Sequence, residues 1–277
     1  MIQRPPFPRI VPGSPLAGGL MFAALGGGAG TVTAFDASGH GNHGTLTNMN
    51  PATDWVDVLE FGRKAIELDG SNDYVLSGYT PPVLTELSVF AWVKTSSAGS
   101  GGDADYLFDT SNGSAGFMIR TGASSKWACY AYGNSDLVDD IAVGVYNDSL
   151  WHHIGFTFRG PDFKTYFDGQ LSLRTYTPST TVLSGGVPVS IGAEYDGTDN
   201  LPGSVADPMI WNRVLSPSEI AALADPSNTL LEVGNSPLIW TPRLRTYFYA
   251  KASGGAPPAG TPWLYRPINS QTIGVCA

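Results

Sequence analysis

Short runs of β-branched and aromatic residues recur along the middle of the chain, between about residues 20 and 225. Each run is bounded by Gly, Asn, Asp or Ser, the residues that commonly end strands and form turns. This pattern predicts many short strands and favours a two-sheet antiparallel sandwich. The clearest runs are "SVFAWVKT", "FMIRTG", "KWACYAYG", "HHIGFTFRG", "KTYFDGQLSL" and "VPVSIGAEY".

Two local signals predict a tight turn and a helix. In "KTYFDGQL", Asp168 and Gly169 can adopt positive φ values, which predicts a hairpin. In "SPSEIAALAD", Ser216 can cap the free amides, Pro217 fits the first helical position and Glu219 completes a capping box. The Ala- and Leu-rich run that follows predicts one short helix.

Composition divides the chain into three zones. Residues 1–19 are rich in Pro and Gly without periodicity, and they are expected to form an extended N-terminal arm. Residues 20–225 carry the strand pattern. Residues 226–277 contain one good strand candidate, "LRTYFYAK", within Pro- and Gly-rich sequence too short for a core of its own, which predicts a C-terminal arm. Such arms are expected to be held by other molecules of a large assembly.

The bulk composition excludes several function classes. The 277 residues are 42% hydrophobic and 14% charged, with a formal net charge of −9. Nucleic acid is excluded as a partner because the 15 basic residues are too few and too scattered to neutralise phosphates. No run approaches the roughly 20 apolar residues that span a bilayer. Neither a membrane nor a cleaved signal peptide is expected, and Cys129 and Cys276 are expected to be reduced thiols rather than one disulfide.

The order of motifs resembles the laminin G-like, concanavalin A-like lectin/glucanase family. The resemblance covers roughly three quarters of the chain and implies an all-β jelly roll of two packed antiparallel sheets. The motifs are "GLMFAAL", "FDASGHGNHGTL", "AIELDGSNDYV", "LSVFAWVKT", "SLWHHIGFTFRGPDFKTYFDGQL" and "PGSVADPMIWNRVLSPSEIAAL". Lectins, glucanases and viral surface proteins all have this fold, so the function has to be inferred from the residues of the candidate sites rather than from the fold.

An enzyme is not expected. Glucanases of this fold carry the strand motif E-x-D-x-x-E, whose closest match here is Glu67, Asp69 and Asn72. An amide at Asn72 cannot donate the proton that glycoside cleavage requires, so this segment is expected to be an ordinary strand and turn. His152 and His153 are adjacent, and adjacent strand residues point to opposite faces, so they are not expected to converge on one atom.

The loop "FDASGHGNHGTL" matches a D-x-S-G-x-G-N-x-G pattern that holds calcium in some members of the family. The resemblance implies a structural calcium bound by Asp36 and Asn42, with Asp207 as a further ligand, since oxygen donors suit a hard cation. One family ligand is missing because Ala206 stands where an acid is common. The alternative is a metal-free loop in which Asp36 and Ser38 accept hydrogen bonds from backbone amides. His40 and His43 are expected to be exposed.

Two function classes remain open. The first is glycan binding, for which the loops "SSAGSGGDADY" and "GAEYDGTDN" offer polar groups and Tyr195. The second is structural, because a jelly roll flanked by Pro-rich arms resembles bacteriophage virion components, in which Arg243 and Arg245 are candidates for contacting an acidic capsid surface.

The resulting hypothesis is a non-enzymatic capsid decoration or attachment protein on the virion surface. Its terminal arms are expected to bind capsid or other virion proteins, it is expected to be a homo-oligomer or part of a large assembly, and it is a candidate for binding host surface glycans. The alternative is an extracellular bacterial carbohydrate-binding module.

Overall fold

The computed structural model describes residues 9–10, 13–25, 30–58, 63–97, 104–112, 115–122, 126–132, 137–140, 147–176, 181–227 and 231–232. All of them belong to the compact unit Met1–Asn235. The expected C-terminal strand "LRTYFYAK", Arg243, Arg245 and Cys276 lie outside the described residues. Within the described part of the chain, no helix is long and apolar enough to cross a membrane.

The described elements are almost all strands. They are β1 (Arg9–Ile10), β2 (Leu20–Ala23), β3 (Thr33–Ala34), β4 (Gly44–Thr47), β5 (Trp55–Val58), β6 (Arg63–Asp69), β7 (Tyr74–Leu76), β8 (Glu86–Lys94), β9 (Tyr106–Asp109), β10 (Gly116–Gly122), β11 (Lys126–Tyr132), β12 (Leu137–Asp140), β13 (His152–Arg159), β14 (Asp162–Phe167), β15 (Gln170–Tyr176), β16 (Ser190–Ile191), β17 (Pro202–Trp211) and β18 (Leu231–Glu232), with helix α1 (Pro217–Leu223) and a 3-10 helix at Pro15–Ala17.

The strands form two large antiparallel sheets. Sheet I has the order β12-β11-β10-β9-β16-β7-β4-β3, and sheet II has the order β15-β14-β13-β8-β17-β6-β5. Strand β17 is long enough to pair with β6 along its first half and with β2 along its second half. This arrangement confirms the predicted all-β sandwich with one short helix, consistent with a concanavalin A-like jelly roll.

The sequence of strand β8 is almost continuously apolar because both of its faces are buried. Val89 and Ala91 lie in the cluster between the two sheets, whereas Phe90 faces the opposite side of sheet II. Every residue from Leu87 to Val93 is buried. A strand with both faces covered needs no polar alternation, so "LSVFAWV" is apolar along almost its whole length.

Helix α1 covers part of the outer face of sheet II. Its Ile220 is fully buried, in the same cluster as Trp211 of β17. The predicted capping box is present: Glu219 N donates to Ser216 Oγ at 3.3 Å, and Ser216 N donates to Glu219 Oε2 at 2.8 Å. The sequence signal for this helix is therefore confirmed.

The N-terminal segment packs on the same face. Leu16 is buried, and the indole nitrogen of Trp211 donates to Leu16 O at 2.7 Å. Arg213 Nη2 also donates to Pro15 O at 2.8 Å, and β1 pairs with β18. The packed body therefore begins before residue 20, although the composition of residues 1–19 predicts an extended arm. The apolar residues of this segment, such as Ile10 and Leu16, are scattered among prolines and glycines, so they show no periodicity by which this contact can be recognised.

The predicted hairpin joins β14 to β15. Asp168 and Gly169 have φ values of 47° and 77°, as a tight turn of this kind requires. A side chain at Gly169 would also lie 2.8 Å from the Ala224 Cβ, so the turn sits against the end of α1. The hairpin prediction is confirmed.

Candidate functional site

The glycine-rich loop that follows β3 is organised around one buried carboxylate. Asp36 Oδ1 accepts hydrogen bonds from Ala23 N at 3.0 Å and Ser38 N at 2.9 Å. Asp36 Oδ2 accepts from Ser38 Oγ at 2.7 Å and Asn42 N at 2.8 Å. Both oxygens are thus directed at protein donors, which is the arrangement of nested turns rather than of a cation ligand.

These contacts fit a calcium ion poorly. Asn42 uses its side-chain Nδ2 to donate to Met21 O at 2.9 Å. Asp207 is buried in an irregular stretch of β17, with a φ of 49°. The described residues contain no cluster of three His, Cys, Asp or Glu side chains able to hold a metal ion. Calcium binding by Asp36, Asn42 and Asp207 stays a prediction, and the geometry favours the hydrogen-bonded alternative.

The loop histidines lie at the surface, as expected. His40 and His43 are both exposed. His43 has a local role, because its Nδ1 accepts a hydrogen bond from Asp36 N at 3.1 Å. Its ring also meets the Phe35 ring edge-on, with 5.8 Å between centroids. His43 therefore supports the backbone of the loop.

The segment compared with the glucanase motif is a strand followed by a turn. Strand β6 ends at Asp69, whose Oδ1 accepts from Ser71 N at 2.7 Å and Asn72 N at 3.4 Å. Glu67 and Asp69 are exposed on β6. The carboxylate of Asp69 stabilises the turn, as the sequence predicts.

The two adjacent histidines of β13 have separate environments. His153 is buried and stacks on Phe90 with 5.3 Å between ring centroids, and burial lowers its pKa to about 3. His152 lies between two carboxylates, with its Nδ1 3.0 Å from Asp168 Oδ2 and its Nε2 3.2 Å from Asp148 Oδ1. The hydrogen bond with Asp168 raises the pKa of His152. The predicted divergence of the two rings is confirmed.

Sheet I carries an aromatic cluster on its outer face, here called the tyrosine patch and made of Tyr106, Arg120, Tyr130 and Tyr132. Tyr106 is buried, and the other three side chains are half-buried. The Arg120 guanidinium carbon lies 4.8 Å from the ring centroid of Tyr130 and 6.0 Å from that of Tyr106. Arg120 Nη2 donates to the Tyr130 hydroxyl at 2.7 Å. Tyr130 and Tyr132 stack at 6.4 Å with an interplanar angle of 23°. Arg120 is thus fixed between aromatic rings.

The alternation of β10 and β11 explains why these side chains share a face. Phe117 and Ile119 of β10, and Trp127 and Cys129 of β11, belong to the core between the sheets. Their neighbours in sequence therefore point outward. The segment "KWACYAYG" contained this signal, because Tyr130 and Tyr132 alternate with core residues, but the sequence predicted only a strand there.

Both loops predicted to contribute to a glycan site reach this region. Tyr106, at the end of the first loop, donates its N–H to Asp199 O of the second at 3.2 Å. Residues 98–103 of the first loop lie outside the described residues. Tyr195 of the second loop is 38% exposed, and its N–H donates to Asp109 Oδ2 at 2.9 Å. The structure therefore brings together loops whose proximity the sequence did not show.

The electrostatics of this region are dominated by carboxylates. Burial raises the pKa of Asp109 to about 6, although the N–H groups of Ser111 and Tyr195 hydrogen-bond to it. Burial also raises the pKa of Glu194, with a further contribution from the charge of Asp196. The pKa of Tyr106 is raised by burial first and then by the charge of Glu194. Hydrogen-bond acceptors and an aromatic surface are therefore adjacent.

The chain is similar to a family model and to curated proteins. The model for the concanavalin A-like lectin/glucanases superfamily (Laminin_G_3) matches residues 69–221. Two relatives are the Sushi, von Willebrand factor type A, EGF and pentraxin domain-containing protein 1 of Rattus norvegicus and of Mus musculus, each 27% identical, over 179 and 180 residues. The matches cover 61% of this chain and only 5% of each relative.

Solved structures share the fold at low sequence identity. The binding domain of Paraclostridial Mosquitocidal Protein 1 has a TM-score of 0.59 at 15% identity, covering 76% of this chain and 52% of that chain. The binding domain of Botulinum Neurotoxin DC in complex with SialylT has a TM-score of 0.58 at 13% identity, with the same coverage. A further structure belongs to botulinum neurotoxin type C, a toxin whose cell entry depends on interaction with two ganglioside molecules. It has a TM-score of 0.57 at 13% identity, and the match covers 76% of this chain and 51% of that chain.

These neighbours extend beyond the region they share with this chain, which spans about half of their length. At such identities the likeness concerns the fold alone. The family model, in contrast, matches more than half of this chain and includes β7 to β17. The chain therefore belongs to the concanavalin A-like lectin/glucanases superfamily.

Proposed function

We propose that this chain is a non-enzymatic glycan-binding module whose ligand lies on the tyrosine patch. The observation that carries the proposal is the fixed position of Arg120, which contacts the rings of Tyr106 and Tyr130. Glycan sites combine aromatic surfaces, which contact the apolar faces of sugar rings, with a few oriented polar groups. Arg120 supplies donors and Glu194 supplies acceptors, while Tyr195 is exposed on the adjacent loop.

Two further observations support this proposal. Two of the toxin structures that share the fold are named for ligands: one is a binding domain in complex with SialylT, and the other concerns a neurotoxin whose cell entry depends on two ganglioside molecules. This chain matches about half of each, so they support the proposal at the level of the fold. The proposal that the module is not an enzyme is supported by the segment after β6. The Asp69 carboxylate accepts hydrogen bonds from the N–H groups of the turn, and position 72 is an asparagine rather than an acid.

A glycan array followed by titration calorimetry tests the proposal. The purified chain should bind at least one oligosaccharide, and Tyr130→Ala should weaken that binding by about tenfold or more, which corresponds to about 1.4 kcal/mol. Leu171→Ala is a matched control because Leu171 is 54% exposed and lies on β15 of the other sheet. Absence of binding to any oligosaccharide, or equal affinity in Tyr130→Ala and the wild type, would contradict the proposal.

We further propose that the module acts on a virion surface, as a decoration or attachment component bound to capsid or other virion proteins and present in several copies. Support for this finer role comes from the Pro- and Gly-rich composition of residues 236–277 and from the resemblance of the chain to phage-encoded jelly rolls. Deleting residues 236–277 should convert a larger assembly to monomers in sedimentation experiments while leaving glycan binding intact. Identical sedimentation of both forms as monomers would refute this role.

A further inference from the structure

We infer that the tyrosine patch selects uncharged sugars and rejects sialylated ones, an inference that rests on the proposed glycan-binding function. The selecting feature is an acidic rim, defined as Glu194, Asp196 and Asp199 on the loop between β16 and β17. This loop adjoins the patch through Tyr106, whose N–H donates to Asp199 O at 3.2 Å.

The acidic rim is held in place by hydrogen bonds within its own loop. Glu194 N donates to Thr198 O at 2.8 Å, and the Thr198 hydroxyl donates to Asp196 Oδ1 at 2.7 Å. The loop is also tied to sheet I, because Tyr195 N donates to the buried carboxylate of Asp109 at 2.9 Å. The loop that carries Glu194 and Asp196 therefore has a defined position beside the patch.

The positive charge available to an anionic sugar is small. Among the described residues that form the patch, Arg120 is the only cation, and it already donates to the Tyr130 hydroxyl. Lys126 lies on the same face of β11 but pairs with Gly122, at the end of the strand opposite to Tyr132. The pKa of Tyr106 is raised mainly by burial; the charges of Glu194, Asp109 and Asp199 raise it further, and the charge of Arg120 lowers it.

The patch and the acidic rim together can form two kinds of hydrogen bond with the neutral hydroxyl groups of a sugar. The unused N–H groups of Arg120 can donate to sugar oxygens, and the rim carboxylates can accept from sugar hydroxyls. A sialic acid carboxylate would meet several like charges beside a single guanidinium, which disfavours binding. The toxin neighbours named with SialylT and gangliosides would therefore differ from this chain in ligand class.

Matched oligosaccharide pairs test this inference. Lactose and 3′-sialyllactose, and longer pairs that differ by one terminal sialic acid, are titrated into the full chain. The neutral member should bind at least tenfold more tightly at low salt, and raising the salt concentration should narrow the difference because it screens the rim charges. The double variant Glu194→Gln, Asp196→Asn should bind the sialylated member more tightly than the wild type does.

Controls separate the inference from the proposed function. Asp57→Asn removes a carboxylate that is 75% exposed on β5 of sheet II, and it should leave the preference unchanged. Thermal melts of each variant verify folding. Equal or tighter binding of the sialylated members, with Tyr130→Ala still weakening it, would overturn the inference while leaving the glycan-binding function in place. Binding of no member of any pair would overturn both.

Discussion

Replacing Asp36 with alanine should destabilise the protein strongly, because one buried side chain serves four hydrogen-bond donors. The Ala23 N–H is itself buried, so its loss of a partner carries a desolvation cost of about 1–3 kcal/mol. The three donors from Ser38 and Asn42 are only partly buried and can regain water, which limits their combined contribution to about 2 kcal/mol. The expected loss is therefore about 4 kcal/mol in the free energy of unfolding.

Urea denaturation followed by tryptophan fluorescence measures this loss. With a slope of about 3 kcal/mol per M, the midpoint of Asp36→Ala should fall by about 1.3 M. Asp57→Ala is a suitable control because its carboxylate is exposed and forms a surface ion pair with Lys64, whose removal should change stability by less than about 1 kcal/mol.

The same assay separates the two interpretations of the loop. If hydrogen bonds alone organise it, millimolar calcium should leave the wild-type midpoint unchanged. A bound cation would instead raise the urea midpoint of the wild type when calcium is added, because a ligand that binds only the folded state stabilises that state. This increase in the midpoint should disappear in Asp36→Ala. A loss below about 1 kcal/mol in Asp36→Ala would refute the hydrogen-bond reasoning.

Three other predictions concern buried groups. His153 has a pKa of about 3 in the folded protein, so the unfolded chain binds a proton more readily below about pH 6.5. The free energy of unfolding should therefore fall as the pH drops towards 3. The variant His153→Phe can keep the stack on Phe90, and it should move the midpoint of acid unfolding to lower pH. Asp109 has the opposite sign, because its folded pKa of about 6 makes its contribution to stability rise as the pH falls from 6 to 4, and Asp109→Asn should remove that slope in urea titrations across this range. Gly155→Ala would place a methyl group against Val89 O and the Phe90 ring, so it should cost about 3 kcal/mol or prevent folding, as measured by the yield and melting temperature of soluble protein.

Much of the fold was predictable because its signals are local. The Asp168–Gly169 turn and the capping box of Ser216 and Glu219 each depend on residues within four positions of one another. The strand runs are likewise short, and burial on both faces of β8 leaves a continuous apolar stretch that is visible in the sequence. Expectations of this kind agree with the structure.

The candidate site was less predictable because its parts are distant in sequence. Tyr106, Arg120 and Tyr130 meet only when β9, β10 and β11 pair, and their register includes an irregularity between Ile119 and Arg120. The contact of Leu16 with Trp211 spans 195 positions, so composition alone assigned the N-terminal segment to a separate zone. Register and long-range packing decide both features, and neither follows from a local pattern.

The pairing of β1 with β18 also affects how the molecule can be displayed. Ile10 joins the apolar cluster on the outer side of sheet II, whereas the tyrosine patch lies on the outer side of sheet I. Strands β1 and β18 thus lie on the side of the sandwich opposite to the aromatic rings of the patch. A label attached to either of these two strands would therefore lie on the opposite side of the sandwich from Tyr130 and Tyr132.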